Sequence, residues 1–264
     1  MGARNWIGKI VLRSPSSLRS IRNMPFVGDV IHDLSYRILS AEYKVWAQIQ
    51  AGPAQGIWLE LNPRTGQDYL RGEVECPSQL TLVRKIQQGS IFYDLGANLG
   101  LFSLLAARLV GNVGKVFSFE PDHEIAQRLT RNIRKNNFAN ITVVEAGAWS
   151  SSGMKDFTPS DSSSPDRGVG TFVPKDVSTI GRPVRCVALD DFSLDAPPPD
   201  AIKCDVEGAE VEVLQGASNL LRTHRPWILC EMHSGSNDRA SRDFLLKLGY
   251  RFETVDNNHL LALP

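Results

Sequence analysis

From Ile91 onward the chain alternates between short apolar runs and longer stretches with helical hydrophobic spacing. The runs at 91–95, 115–119, 141–145, 200–204 and 226–231 predict strands, and 99–110, 122–137, 208–222 and 237–248 predict helices between them. Strand–helix alternation of this kind predicts a parallel sheet covered on both faces. The ending differs. Tyr250–Val255 and His259–Leu263 flank Asp256-Asn257-Asn258, which predicts a hairpin and an antiparallel strand closing the sheet. The fold class expected is α/β, a Rossmann-like, doubly wound, mostly parallel sheet with an antiparallel terminal strand.

The chain before residue 90 reads differently. Residues 1–54 are expected as a basic, helical extension, with Arg4, Lys9, Arg13, Arg19 and Arg22 interleaved with Trp6, Ile7, Ile10, Val11 and Leu12. A helix is predicted from about Asp29 to Gln50, with Val30, Ile31, Leu34, Ile38 and Leu39 along one face. Such a segment suits packing on the main domain or a second subunit, or peripheral contact of residues 1–25 with an anionic membrane surface. The main domain is expected over 55–264. Residues 55–72 read as β-structure, and Cys76-Pro77-Ser78 opens a helix running through Val83 and Ile86. Residues 150–185 are Ser-rich and break the alternation, so an irregular excursion is expected there, either a substrate lid or an idle insertion. Asp195-Ala-Pro-Pro-Pro-Asp200 forms a stiff connector.

Composition narrows the function classes. Lys+Arg and Asp+Glu both number 29, so no basic excess favours a nucleic-acid partner. The four cysteines show no C-x-x-C spacing and predict free thiols in a reducing, cytoplasmic setting. No apolar run reaches the ~20 residues that span a bilayer, and no long uncharged run near the start predicts a secretory signal.

The densest chemistry begins at Ile91-Phe-Tyr-Asp94-Leu-Gly96-Ala-Asn98-Leu-Gly100, an apolar strand passing through a two-glycine turn into a helix. Glycines there predict close approach of a ligand to the backbone, and the helix N-terminus favours an electron-rich group. The second strand ends at Glu120-Pro121, an acid suited to ribose hydroxyls. A dinucleotide fingerprint wants glycine where Asn98 stands. Asp94 sits badly beside a pyrophosphate but suits a ligand with an amine and a sulfonium, S-adenosylmethionine. A dinucleotide and a purely structural turn remain the alternatives.

A second cluster follows at the fourth strand, Ile202-Lys203-Cys204-Asp205-Val206-Glu207-Gly208-Ala209-Glu210. Glu207 and Glu210 are explained by the dipole of the next helix, worth a few tenths of a kcal/mol. Asp205 ends the strand on the ligand side. The fifth strand, Trp227-Ile-Leu-Cys-Glu231-Met-His233, adds an acid and an imidazole at the neighbouring tip.

With these segments the chain resembles the FkbM-type S-adenosylmethionine-dependent methyltransferases. The resemblance runs through Tyr93–Leu104, Phe119-Glu-Pro-Asp122, Ile202–Leu214 and Arg225–His233, with Gly72-Glu-Val-Glu75-Cys-Pro upstream, and spans roughly residues 60–256. It implies a class I methyltransferase fold and transfer of a methyl group, usually to a hydroxyl of a sugar, polyketide or similar metabolite; acceptors on nitrogen, RNA or protein, and a non-catalytic scaffold, are the alternatives. It implies that Asp94, Gly96, Asn98 and Gly100 cradle the methionine part of the cofactor and that Glu120, with Pro121 behind it, takes the ribose. Glu145 and Ala146 would lie near the adenine, and Glu75 would approach the amino group. His233 and Asp205 are the candidate bases. Asp205 and Glu231 are alternatively ligands for a divalent metal, an arrangement not favoured because His233 alone supplies a base.

Overall fold

A computed structural model describes residues 43–159, 170–172 and 181–264. Two compact units are present, one holding the described residues 43–76 and the other those from Pro77 onward. In the first, β1 (Val45–Gln48) pairs antiparallel with β2 (Trp58–Leu61), and a short helix α1 (Gln67–Arg71) follows. The helix predicted over 29–50 therefore ends in a strand, because alternate residues Val45 and Ala47 are buried against the β2 partner; its earlier part lies outside the described residues. This pairing also carries the hairpin across the boundary expected at residue 54.

The second unit takes in α2 (Cys76–Lys85) from Pro77 onward and is built on β3 (Ile91–Leu95), α3 (Leu101–Val110), β4 (Lys115–Phe119), α4 (His123–Lys135) and β5 (Ile141–Val144). After residue 187 come α5 (Leu189–Phe192), β9 (Ala201–Cys204), α6 (Glu210–Gln215), α7 (Ser218–His224), β10 (Trp227–Glu231), α8 (Gly235–Lys247), β11 (Arg251–Thr254) and β12 (His259–Leu263). They form one seven-stranded sheet in the order β11-β12-β10-β9-β3-β4-β5. The strands from β5 to β10 run parallel, and β12 enters antiparallel between β10 and β11. Central strands are largely apolar because both faces are covered, and β9 is buried at every position. Tyr93, Phe117 and Phe119 close around Phe192 of α5 with ring centroids 4.9–5.6 Å apart. The predicted doubly wound sheet with its terminal hairpin is the observed one.

Two further expectations are corrected. The stretch 150–185 is not irregular throughout. β6 (Gly147–Ala148), β7 (Gly153–Phe157) and β8 (Arg182–Val187) make a three-stranded sheet in the order β6-β8-β7. β8 buries Val184 and Cys186 in alternation, and Ser-rich flanks hide that period-two signal in the sequence. Residues 160–169 and 173–180, where the rest of the expected lid falls, lie outside the described residues. The helix predicted over 208–222 is two helices, α6 and α7, parted at Gly216-Ala217. Asp190, 30 positions upstream of Leu220, accepts from the Asn219 and Leu220 N–H groups and starts α7 afresh. A side chain on Gly216 would collide with the carbonyl of Trp149.

The cysteines are all free, and among the described residues no helix is long and apolar enough to cross a membrane.

Candidate active site

Parallel strands bring their C-terminal ends to one edge, so the tips of β4, β3, β9 and β10 stand side by side. Two strand-to-helix turns dominate that edge.

The first joins β3 to α3. Gly96, Asn98 and Gly100 all take positive φ, at 77°, 49° and 87°. The glycines also answer a requirement of the protein's own packing. A side chain on Gly96 would strike the carbonyl oxygen of Asp205 in the neighbouring turn, and one on Gly100 would strike Leu129 of α4. Asn98 donates its N–H to Glu120 Oε2 at 2.9 Å, and Asp122 donates its N–H to Oε1 at 2.9 Å. Glu120 is thus clamped between the first turn and the start of α4, with Pro121 between it and the second donor. Burial pushes its carboxyl up to about 8, against the two N–H donors, which favour the ionised form. The Asn98 Oδ1 is buried and accepts no hydrogen bond within the described residues.

Asp94 has no exposed surface. Its Oδ2 accepts from Ser103 Oγ at 2.5 Å, and Ser118 Oγ stands 2.7 Å from the same hydroxyl. The carboxylate anchors α3 and β4 to β3 beneath the turn. Glu145, just past β5, is half-exposed and meets His123 Nδ1 at 2.7 Å, while Ala146 is fully buried. Glu75 belongs to the other unit, where it takes a φ of 45°.

The second turn joins β9 to α6 and carries charge. Glu207 (φ 53°) and Gly208 (φ 97°) take positive φ, a conformation that costs a glutamate about 1–3 kcal/mol. Four carboxylates surround His233. Its Nδ1 lies 2.8 Å from Glu210 Oε1, and its Nε2 lies 3.5 Å from Asp205, 3.4 Å from Glu207 and 4.0 Å from Glu231. Glu210 is fully buried, and Gly208 N–H and Asn237 Nδ2 donate to its two oxygens at 3.0 and 2.9 Å. Its orientation is therefore fixed, and it fixes the imidazole. Burial works against a charged His233, but the Glu210 hydrogen bond and the Asp205 and Glu207 charges outweigh it and hold the imidazolium up to about 9. Burial likewise opposes ionised Asp205, yet Lys203, 2.8 Å away, overcomes it and keeps the carboxyl below its ordinary value.

Lys203, His259 and Glu210 are contributions the sequence reading missed or discounted. Lys203 is buried between Asp205 and the Phe102 ring, 4.4 Å from its centroid. A lysine inside an otherwise apolar strand was the available signal. His259 is buried opposite Glu231 in register; its Nε2 is 3.6 Å from Glu231 Oε2 and its Nδ1 is 2.8 Å from Asp256. Nothing local marks it, because the partner arrives through the terminal hairpin.

Asp205, Glu231 and His233 offer one ligand atom each within 4.8 Å of one another, a spacing open to a cation. The buried Lys203 ammonium beside Asp205 already supplies a positive charge there and repels a second. The arrangement suits holding and moving a proton better than holding a divalent ion.

The first turn fits an uncharged, hydroxyl-bearing ligand surface: a buried carboxylate with acceptor capacity beyond its two N–H donors, and an amide oxygen left free beside it. Comparison with known proteins agrees. The FkbM methyltransferase domain model matches residues 94–252, which takes in both turns. The hexuronic acid methyltransferase AglP of Haloferax volcanii is 29% identical over 192 residues, covering 72% of this chain and 71% of that protein. A 23S rRNA (uracil(1939)-C(5))-methyltransferase of Acinetobacter baumannii is 40% identical over only 74 residues, 28% of this chain and 15% of its own. Among solved structures, methyltransferase FkbM from Methylobacillus flagellatus superimposes with a TM-score of 0.52 at 17% identity, over 92% of this chain and 62% of that one, and so shares the fold. The chain belongs to the FkbM methyltransferase family and is an S-adenosylmethionine-dependent methyltransferase.

Proposed function

We propose that the protein methylates a hydroxyl oxygen of a sugar or sugar-like metabolite, with His233 as the general base. The observation that carries this reading is the imidazole at the β10 tip, locked by Glu210 on one nitrogen and ringed by carboxylates on the other. The kinship with a hexuronic acid methyltransferase supports a carbohydrate acceptor. The balance of 29 basic and 29 acidic residues gives no electrostatic reason to favour RNA.

The cofactor, when bound, supplies an electrophilic methyl group on a sulfonium. Glu120 would hold the ribose hydroxyls, Gly96, Asn98 and Gly100 would form the wall for the methionine part, and Glu145 and Ala146 would border the adenine. Asp94 works from below by keeping the turn in place.

A neutral hydroxyl must lose its proton as the new C–O bond forms. With Glu210 accepting the Nδ1–H, neutral His233 carries its lone pair on Nε2, and that nitrogen takes the proton. Asp205, Glu207 and Glu231 then stabilise the imidazolium. A base held at about 9 is neutral in roughly one molecule in a hundred at pH 7, but it is a strong base in that fraction. Turnover under kcat/KM conditions is therefore expected to climb with pH until about 9.

The test is transfer of labelled methyl from S-adenosylmethionine to a panel of hydroxylated sugars, with His233→Ala alongside. A fall in kcat of about 10²–10⁴-fold is expected for the variant. Near-normal turnover in His233→Ala defeats the assignment of the base.

A further inference from the structure

Beside the carboxylate cluster lies a cavity of about 240 Å³, walled by the β10–α8 connection, one side of α8 and the β11–β12 turn. It is smaller than the roughly 300–1,000 Å³ of pockets for drug-sized ligands, which suits a single ring. His233 and Met232 form the wall nearest the proposed base. The rest is mostly polar, with Ser234, Arg242, Thr254 and Asn257 among the lining groups and Leu260 an apolar one.

Arg242 is the distinctive group. Its Nε donates to Asp238 Oδ1 at 2.6 Å, one turn earlier on α8, and its guanidinium lies 5.3 Å from the centroid of the Phe252 ring. A guanidinium offers two hydrogen-bonding edges. Asp238 uses the edge that contains Nε, and the aromatic ring restrains the plane. The terminal edge, Nη1 and Nη2, makes no hydrogen bond within the described residues. That edge has the geometry for bidentate pairing with a carboxylate.

The acids in the wall leave that edge unoccupied. Both acids in the wall are already engaged, Asp238 by Arg242 and Asp256 by His259 and the backbone N–H of Asn258. The N-terminus of α8, capped by Ser234, opens at the same cavity through Gly235 and contributes the positive end of a thirteen-residue helix. The Asn257 side chain, exposed in the hairpin turn, adds an amide for hydroxyl groups.

We propose that this cavity is the acceptor site and that Arg242 selects an acidic sugar by pairing its free edge with a uronate carboxylate. The inference rests on the reading of the protein as a sugar O-methyltransferase. It goes further by naming the anionic class of acceptor and the residue that recognises it.

The experiment compares kcat/KM for a glucuronoside, its methyl ester and the matching glucoside in the wild type and in Arg242→Gln. The wild type is expected to prefer the free acid over both neutral sugars. In Arg242→Gln that ratio is expected to fall about tenfold or more, the worth of a charge-assisted pair. Because the ratio is taken within one variant, it does not depend on how much of that variant folds. Should Arg242→Gln not fold, Arg242→Lys keeps the charge and the stem while removing the planar edge, and a reduced ratio is expected there too. No preference for the acid in the wild type, or an unchanged ratio in the variant, overturns the proposal. If no sugar is methylated, the proposed function fails. Calorimetry of glucuronate and glucose with the S-adenosylhomocysteine complex then decides this inference separately: tighter binding of glucuronate, lost in the variant, upholds it, and equal binding overturns it.

Discussion

The β3–α3 and β9–α6 turns are built alike and filled differently. Each follows a parallel strand, and each takes positive φ at a glycine and at a side-chain-bearing neighbour, Asn98 in one and Glu207 in the other. The first presents glycines, an amide and one clamped carboxylate, Glu120. The second gathers Asp205, Glu207 and Glu210 around His233. One geometry thus serves two tasks. Backbone and neutral groups suit a ligand held by shape and hydrogen bonds, while crowded charge suits a proton that must be held and released.

The sharpest test of this pairing is Gly96→Ala against Gly208→Ala. At Gly96 the new methyl meets the Asp205 carbonyl, backbone against backbone, on top of a φ of 77°. Neither turn yields cheaply, and a loss above about 3 kcal/mol in thermal or urea unfolding is expected. At Gly208 the nearest atom is the Asn237 Nδ2 at 3.8 Å, so only the backbone conformation resists, for about 1–2 kcal/mol. Equal losses in the two variants would break the claim that the turns are locked through Gly96.

Glu210→Gln tests the charged turn alone. Its carboxylate is the main support for the His233 imidazolium, so its neutral isostere is expected to lower the His233 pKa from about 9 by on the order of one unit. The rising limb of the pH profile of kcat/KM should move to lower pH by the same amount. A limb that stays in place places the titrating base elsewhere.

The smallest effect belongs to the neutral turn. Glu120 is raised to about 8 by burial, so it is mostly protonated at pH 7, and hydroxyl donors favour its ionised form. Affinity for S-adenosylhomocysteine by calorimetry is therefore expected to rise several-fold from pH 7 to 8 and to level off above. Glu120→Gln should remove that slope.

The first turn was readable in the sequence because its signals are local: an apolar run, two glycines four residues apart and a helical period behind them. The sheet followed for the same reason, since β3, β4 and β9 are mostly apolar and stand out as short runs between helical periods. The second turn was only half readable. Asp205, Glu231 and His233 stood out at strand tips, whereas Glu210 looked like an ordinary helix-start acid until His233, 23 positions on, accounted for its burial. His259 depends on Glu231 across the terminal hairpin, and the break between α6 and α7 depends on Asp190. Each is set by a partner too distant for periodicity to reveal.

The pairing of β7 with β8 brings Phe157 and Arg182 face to face across a ladder. Just beyond that pair, Thr158 and Thr171 exchange both backbone hydrogen bonds, and Thr171 Oγ1 donates to the Glu207 carbonyl at 3.2 Å. The small sheet is thereby wired to the charged turn through one threonine, so a segment exchanged from a relative has to keep Thr171 if Glu207 is to hold its backbone conformation.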